Sequence, residues 1–468
     1  MSENIRNICK EFNNKRITVC KERFYNKRVT VVGIGVSNIP LIDFLLSFGA
    51  NVAACDKKDM ERLGSVANEL VKKGVILSLG DSYIDNIDAD YLFRSPGIRN
   101  DIPEFVKAVE NGAILLSEME LFFELCPCNI IAITGSDGKT TTTTLVSEML
   151  KREGKTVFLG GNIGAPLLPF VFDMKKDDYA VVELSSFQLQ TMKKSPHTAI
   201  ITNITPNHLN WHVDYDEYID SKSNIWKYQS ANDRIVLNAE NDVTLAISKK
   251  VGAKCTMFSS KNVIDGVCEK DEKIYCGENF VMNTSDIKLP GRHNVENYMA
   301  AIAALDGVVS YESMIFVAKN FGGVEHRIEL VRTLDGVKYY NSSIDSSPNR
   351  TINALGAFNQ KLIVLCGGAD KHIPYDEIGE PLCQKAKIVI TNGPTGPLVE
   401  AAVKNAPSYK EGYPMLYSVK DYKEATLLAH KLAKEGDIVL LSPASTSFDA
   451  FDNFMQRGNF FKDLVNSL

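Results

Sequence analysis

The stretch that most limits what this chain can fold into is Ile130-Ile-Ala-Ile-Thr-Gly135-Ser-Asp-Gly-Lys-Thr-Thr141, an apolar run that breaks into a glycine turn and continues as a helix-compatible segment. The β-branched residues before the turn suit a fully buried strand. Gly135 and Gly138 allow backbone shapes that a Cβ would block, so the turn can aim N–H groups and the positive end of the next helix at an anion. Lys139 then reaches terminal phosphates, and the Thr140 hydroxyl can ligate the Mg²⁺ that travels with a nucleotide. The loop is short, because G-x-x-x-x-G-K-[ST] would need glycine where Ile133 stands. An ordinary strand-turn-helix junction is the plainer reading of Gly-Lys-Thr. The buried strand before it and the helix opening over 140–144 favour a nucleotide.

At 468 residues and 44% hydrophobic content the chain exceeds one core, and three domains are expected at roughly 100 to 200 residues each. A formal charge of -6 with interspersed signs offers no basic face, so a small molecule rather than nucleic acid is the expected partner. Residues 1–16 are polar without an apolar h-region, and no apolar stretch reaches roughly 18 residues, so a cytoplasmic protein without membrane insertion is expected, taken as a monomer. Ten cysteines, scattered singly apart from Cys126 and Cys128, lack the spacing of zinc sites and read as reduced, mostly buried thiols.

Along the chain, a buried strand over 28–35 ending in glycines, a helix over 40–48 and a strand over 51–55 ending at Asp56 make a βαβ opening of Rossmann type. Asp56 stands at the distance from Gly35 where an acidic residue meets a ribose hydroxyl, while Asn38 replaces the third glycine of G-x-G-x-x-G. Strands are expected at 75–79 and 91–94, the latter entering Ser95-Pro96-Gly97-Ile98, either a good turn or a ligand-binding strand end. The strand over 179–183 ends at Glu183, where a carboxylate facing Thr140 would hold magnesium. After a strand over 199–204 comes a polar loop with His208, a candidate metal or phosphate partner, and with Trp211 and His212, which suit loop packing equally.

Lys222 in an expected helix over 218–226 is by default a surface lysine. The sharper alternative is a lysine of lowered pKa that takes up carbon dioxide and becomes an anionic carbamate ligand for a second hard cation. Asn294 and Asn297, one helical turn apart, can read an adenine edge, hold phosphate or act as caps. Arg327 could neutralise charge developing at a γ-phosphate. Further strands over 362–366, 388–391 and 437–441 run into turns where Lys371 and backbone N–H groups near 445–447 could each hold a carboxylate.

Taken together, Thr134-Gly-Ser-Asp-Gly-Lys-Thr-Thr141, Gly161-Asn-Ile-Gly164, Glu183-Leu-Ser-Ser-Phe-Gln188, Asn207-His208, Lys222, His293-Asn294-Val-Glu-Asn297, Glu325-His-Arg327 and Leu441-Ser-Pro-Ala-Ser-Thr-Ser-Phe-Asp449 resemble the Mur ligase family over nearly the whole chain. The segments Val32-Gly-Ile-Gly-Val-Ser37, Ser95-Pro-Gly-Ile98 and Ser447-Phe-Asp-Ala-Phe-Asp-Asn-Phe454-Met-Gln-Arg-Gly458 point to the branch that adds D-glutamate to UDP-N-acetylmuramoyl-L-alanine, and the Asp-Asn-Pro-Arg signature of other branches does not occur.

The resemblance implies an α/β protein of three domains: a Rossmann-like domain over 1–118 for the UDP moiety, a P-loop NTPase-like domain over 119–322 for ATP, and a Rossmann-like domain over 323–468 for the amino acid. It assigns Val36, Ser37, Asp56, Ser95, Pro96, Gly97, Asn162, Ser185 and Gln188 to the UDP substrate, and Gly135, Ser136, Asp137, Gly138, Lys139, Thr140, Thr141, Asn294, Asn297 and Arg327 to ATP. Thr140, Glu183, His208 and carbamylated Lys222 would surround two magnesium ions, and Ser346, Lys371, Ser447, Phe448 and Phe454 would frame D-glutamate. Catalysis would fall to Lys139, Glu183, His208, Lys222 and Arg327.

Two departures stand out. Asp137 replaces the family's Asn beside the polyphosphate, and Asn341-Ser-Ser-Ile-Asp345-Ser-Ser347 puts Ser342 at an acidic position and Ile344 at a lysine. The rival readings are a sister ligase, a folylpolyglutamate synthase, a dinucleotide-dependent oxidoreductase built on 29–56, and a nucleotide-binding protein without catalysis.

Overall fold

In the computed structural model, residues 3–209, 211–370 and 373–468 are described, with side chains from Asn13 onward. The chain forms two compact units, Met1–Thr284 with Glu296–Val317, and Ser285–Val295 with Ala318–Leu468. Among the described residues no helix is long and apolar enough to cross a membrane.

The first unit carries two sheets. One is fully parallel, from β1 (Arg28–Val32), β2 (Asn51–Asp56), β3 (Ile76–Leu79), β4 (Tyr91–Arg94) and β5 (Ile114–Leu116), in the order β3-β2-β1-β4-β5. The order reverses between β1 and β4, so the turns after those strands flank the crevice where open α/β sheets take ligands. Strand β1 stops at Val32, three residues short of the expected end, because Gly33 turns to a φ of 92° and its N–H donates to Cys55 O at 2.7 Å. The next helix starts at Asn38 and accommodates Pro40 in its first turn, where proline's missing N–H costs nothing.

The second sheet has nine strands: β6 (Asn129–Thr134), β7 (Val157–Gly161), β8 (Tyr179–Glu183), β9 (Thr198–Ile201), β10 (Arg234–Asn238), β11 (Lys254–Ser259), β12 (Gly266–Lys270), β13 (Lys273–Cys276) and β14 (Asn279–Asn283). Their order is β14-β13-β12-β11-β10-β9-β6-β8-β7, with every pairing parallel except β12–β13 and β13–β14, which make an antiparallel edge. Strand β6 lies between β8 and β9, its Ile133 paired with Glu183 and its Thr134 with Ile201. That register brings three strand ends around one turn.

The second unit has one sheet of β15 (Glu329–Leu334), β16 (Val337–Asn341), β17 (Leu362–Gly367), β18 (Ala386–Asn392), β19 (Met415–Ser418) and β20 (Ile438–Leu441), in the order β15-β16-β20-β17-β18-β19. Only β15 is antiparallel. Every residue of β17 is buried, as an unbroken apolar run in a parallel sheet covered on both faces requires.

Candidate active site

The turn after β6 is braced by the strand beside it. Ser136 N–H donates to Asn203 O at 2.9 Å and Asp137 N–H to Asn203 Oδ1 at 3.0 Å, while the Thr202 hydroxyl donates to Asp137 O. The expected strand over 199–204 therefore ends at Ile201, because Thr202 and Asn203 turn their polar groups to the loop. The helix Lys139–Arg152 begins at the turn, which places the positive end of its dipole there. Asn297, on the helix Arg292–Leu305, closes the loop's flank: its Oδ1 accepts the Thr142 hydroxyl at 3.2 Å and would lie 2.4 Å from a Cβ added at Gly138. Thr141 follows in the first helical turn, half-buried, and the Asp137 residue is exposed.

Two lysines converge on one carbonyl. Lys139 Nζ donates to Gly135 O at 2.9 Å and to Ser136 O at 2.8 Å; Lys222 Nζ donates to the same Gly135 O at 2.8 Å and to Thr134 Oγ1 at 3.1 Å. Lys222 is 1% exposed, over the Tyr218 ring, which overturns the surface-lysine alternative. Burial first, and the Lys139 charge second, hold its amine well below the usual lysine range, with Glu183 and Asp137 opposing. The expected helix around it runs earlier, Tyr215–Ser223, started by an Asp214 cap.

Beside them, Thr140 Oγ1 donates to Glu183 Oε2 at 2.7 Å, and Asn162 Nδ2 donates to Glu183 Oε1 at 2.8 Å. Asn162 thus orients the carboxylate. Among the described residues no three His, Cys, Asp or Glu side chains form a metal-binding group. One carboxylate and one hydroxyl beside an anion-binding turn are instead the sparse donor set of Mg²⁺, which keeps waters and takes further ligands from phosphates.

The polar loop after β9 is held by aromatic packing. His208, exposed and at a φ of 55°, sets its ring 5.0 Å from that of Phe187; desolvation, then the charges of Lys139 and Lys222, lower its pKa. His212 is buried against Ser186 Oγ at 3.0 Å, and Trp211 Nε1 donates to Gly97 O at 3.0 Å, so both serve packing. Ser185 and Gln188 form a capping box at the helix Ser186–Leu189, hydrogen-bonded to each other.

At the first sheet's crevice, the Asp56 carboxylate accepts the Ile34 N–H at 2.7 Å, and Asn38 Nδ2 donates to Gly33 O at 2.8 Å and Ser95 Oγ at 3.0 Å. Asn38, in place of a third glycine, therefore ties the two turns together. Val36 is 79% exposed, Ser37 and Pro96 are half-buried and Gly97 is exposed. Arg94, 1% exposed, donates to Pro96 O, Ile98 O, Phe187 O and Thr191 Oγ1, linking this turn to the middle sheet's Ser186–Leu189 helix.

In the second unit, Asn294 Nδ2 donates to Pro290 O at 2.6 Å, a local cap. Arg327 stands between His326 and Ile328, both at positive φ, and its N–H donates to Val324 O. Ser346 closes a tight turn on Ile344 O; Ser447 is buried, Phe448 is exposed, and the Phe454 ring meets His326 edge-on at 6.0 Å. Asp345 accepts the Ser442 hydroxyl at 2.8 Å, and burial pushes its carboxyl up to about 6. Arg457 is fully buried and donates to Ser343 Oγ and O, Tyr422 Oη and Ser445 O. Lys371 lies outside the described residues.

Residues 27–117 match the family described as Mur ligase MurD-like, N-terminal domain, 133–305 the Mur ligase middle domain, and 326–445 the Mur ligase, glutamate ligase domain. The UDP-N-acetylmuramoylalanine--D-glutamate ligase of Ruminiclostridium cellulolyticum is 49% identical over 97% of this chain and 100% of its own. Those of Clostridium botulinum strain Hall (48%; 94% and 97% covered) and Acetivibrio thermocellus (46%; 97% and 99%) are similar. The chain belongs to the Mur ligase family. In fold it is similar to the UDP-N-acetylmuramate-alanine ligase MurC of Thermotoga maritima (TM-score 0.58, 20% identity, 94% of this chain and 100% of that one). A pseudomurein peptide ligase type C from Methanothermus fervidus also aligns (TM-score 0.52, 18% identity, 94% and 100%).

As a Mur ligase the chain has the three-domain α/β architecture expected from its sequence, and it is an ATP-dependent carbon–nitrogen ligase. Two arginines of this Mur ligase carry connections to which the sequence assigned no role: Arg94, and Arg457 within the segment 447–458. For Arg94 the sequence signal was an arginine ending the apolar run Tyr91-Leu-Phe-Arg94, where a long cation is either a ligand contact or, as here, a buried organiser of carbonyls.

Proposed function

We propose that this chain joins D-glutamate to UDP-N-acetylmuramoyl-L-alanine at the expense of ATP, in peptidoglycan precursor synthesis. The observation that carries the reading is the convergence of Lys139, Lys222, Thr140 and Glu183 on the turn at Gly135. Identity near one half to D-glutamate-adding relatives over almost the full length supports the choice of substrates. The domain boundaries read from the sequence, 118/119 and 322/323, stay part of this proposal; the first falls at the start of the helix Glu118–Leu125 and the second before β15, while the compact units divide at 284/285, 295/296 and 317/318.

A free carboxylate is a poor acyl donor. Its attack on the γ-phosphorus of ATP gives an acyl phosphate and ADP, and the amine of D-glutamate then displaces phosphate. The protein's part is positioning and charge neutralisation, as in phosphoryl transfer generally. Lys139 swings from the carbonyls of Gly135 and Ser136 to the phosphates. Asn297 flanks the loop for the nucleotide, with Asn294 and Arg327 assigned to it by resemblance. Asn162 holds the Glu183 carboxylate so that its other oxygen, with Thr140, would hold Mg²⁺; the ion when bound neutralises phosphate charge. Burial favours the neutral form of the Lys222 amine, which would make it nucleophilic toward carbon dioxide, and its carbamate with His208 would hold a second ion. Asp56, Ser37 and the 95–97 turn hold the uridine diphosphate, and Ser346, Lys371, Ser447, Phe448 and Phe454 the D-glutamate.

Purified protein with ATP, magnesium and UDP-N-acetylmuramoyl-L-alanine should release phosphate with D-glutamate and not with L-glutamate. Release with another amino acid or acceptor would make it a sister ligase or a folylpolyglutamate synthase, and ATP binding without release under any acceptor a non-catalytic relative.

A further inference from the structure

The short connection between the helix Glu118–Leu125 and β6 reads Cys126-Pro127-Cys128. Proline forces the residue before it out of the helical region, and Cys126 ends its helix at φ -67° and ψ 123°. In extended backbone, side chains two residues apart point to the same side. The two sulfurs accordingly lie 3.3 Å apart. Both are free thiols in a compact unit, Cys126 half-buried and Cys128 1% exposed.

Two cations are fixed around the pair. Arg16 donates from Nη1 to Leu125 O and Val171 O, both at 2.9 Å, and Lys194 donates to Phe123 O at 2.7 Å. The Cys128 thiol, followed by Arg16 and Lys194, favours the Cys126 thiolate, whereas Cys128 is pushed up. Cys20, near the same Arg16, is pushed up to about 11 by burial and is the inert member of the neighbourhood.

We propose that Cys126 and Cys128 are a modification site at which peroxide converts the dithiol to an intramolecular disulfide. The Cys126 thiolate attacks one oxygen of hydrogen peroxide; an S–O bond forms, the O–O bond breaks and hydroxide leaves. The Cys128 sulfur then attacks the Cys126 sulfur; the S–S bond forms, the S–O bond breaks and a second hydroxide leaves. The protons given up by the two thiols turn both hydroxides into water, so the sulfur pair loses two electrons and the peroxide gains them. The disulfide would sit in the segment that enters β6 and hence the phosphate-binding turn.

The test uses the full chain with about one equivalent of hydrogen peroxide, then alkylation, tryptic digestion and mass measurement. Both cysteines fall in the single lysine-to-lysine fragment 108–139. The expected product is that fragment, unlabelled and lighter by two hydrogen atoms, with alkylation of both sites restored by dithiothreitol; titratable thiols in the unfolded chain fall from ten by two. In Cys128→Ser, and in Cys128→Ala should the first not fold, Cys126 should be trapped by dimedone as a sulfenic acid, and in Cys126→Ser no disulfide should form. Independent alkylation of both thiols after peroxide, or a fragment joining Cys20 to Cys126, overturns the proposal.

Discussion

The turn after β1 and the turn after β6 are the same piece of local structure, a buried parallel strand that ends in glycine and hands over to a helix, yet they present opposite chemistry. At Gly33 the organisers are the Asp56 carboxylate, the Asn38 amide and the Ser95 hydroxyl, which between them hold Ile34 N–H and Gly33 O. At Gly135 they include two lysines on one carbonyl, with a carboxylate and a hydroxyl beside them. Topology decides where a ligand can sit, and the side chains sent in from neighbouring strands decide its charge. A carboxylate and a hydroxyl suit sugar and base hydrogen bonds; the Lys139 ammonium at a helix N-terminus, with a carboxylate and a hydroxyl that would hold Mg²⁺, suits a polyphosphate.

The largest effect should come from removing charge at the second turn. Lys139→Ala and Glu183→Ala are each expected to lower kcat/KM for ligation by about 10³-fold, roughly 4 kcal/mol, in the range seen when electrostatic stabilisers are deleted. Far-UV circular dichroism should stay unchanged. Asp56→Asn at the first turn should raise KM for the UDP substrate with a much smaller effect on kcat. Equal losses of kcat at the two turns would break the comparison.

Lys222→Ala comes next. Loss of the buried amine should cost about 10²-fold in kcat, of the order assigned to a single charged group at a phosphoryl-transfer site, and acetate or formate in solution should restore part of it. A variant as active as the parent without any additive would remove the carbamate from the mechanism.

The strand-helix rhythm and the turn at Gly135 were legible because periodicity and glycine act locally. The pairing of Thr140 with Glu183 was legible too, because parallel strands put successive strand ends at one edge. What could not be read was where long side chains go. The sequence left Lys222 open between a surface lysine and a lysine of lowered pKa, and the surface reading fell only when the fold brought the Tyr218 ring and the Gly135 carbonyl to it. Asn162 sat in a glycine-flanked segment and could not be told from a sugar contact, yet it holds Glu183. Ser185 and Gln188 show the converse: polar residues near a site that satisfy a helix end, a role their spacing of three would have allowed.

Steric room sharpens the comparison with a smaller effect. A Cβ at Gly135 would lie 1.9 Å from Thr202 Oγ1, a hydroxyl already committed to Asp137 O, whereas one at Gly35 meets nothing within 4 Å. Gly135→Ala should therefore cost about 2 kcal/mol of stability, in the range of other strained or overpacked sites, read as a lower denaturant midpoint at constant m-value. Gly35→Ala should stay within about 0.5 kcal/mol, as exposed substitutions do. Equal midpoints for the two would mean that the loop at Gly135 yields easily and is not a preformed anion site.

The finest discrimination concerns Asn38, which stands where a dinucleotide fold would carry glycine. If its amide is what joins the turns after β1 and β4, then Asn38→Ala and Ser95→Ala should each destabilise by about 1 kcal/mol, the usual net worth of a hydrogen bond. The double variant should then lose less than the sum, by about 0.5 kcal/mol, because both substitutions remove one shared contact. A strictly additive pair would show that each residue bonds Gly33 O independently. In that case the two side chains would act on Gly33 separately and the Asn38–Ser95 contact would join nothing, in contrast to the loop at Gly135, where side chains from three strand ends cooperate.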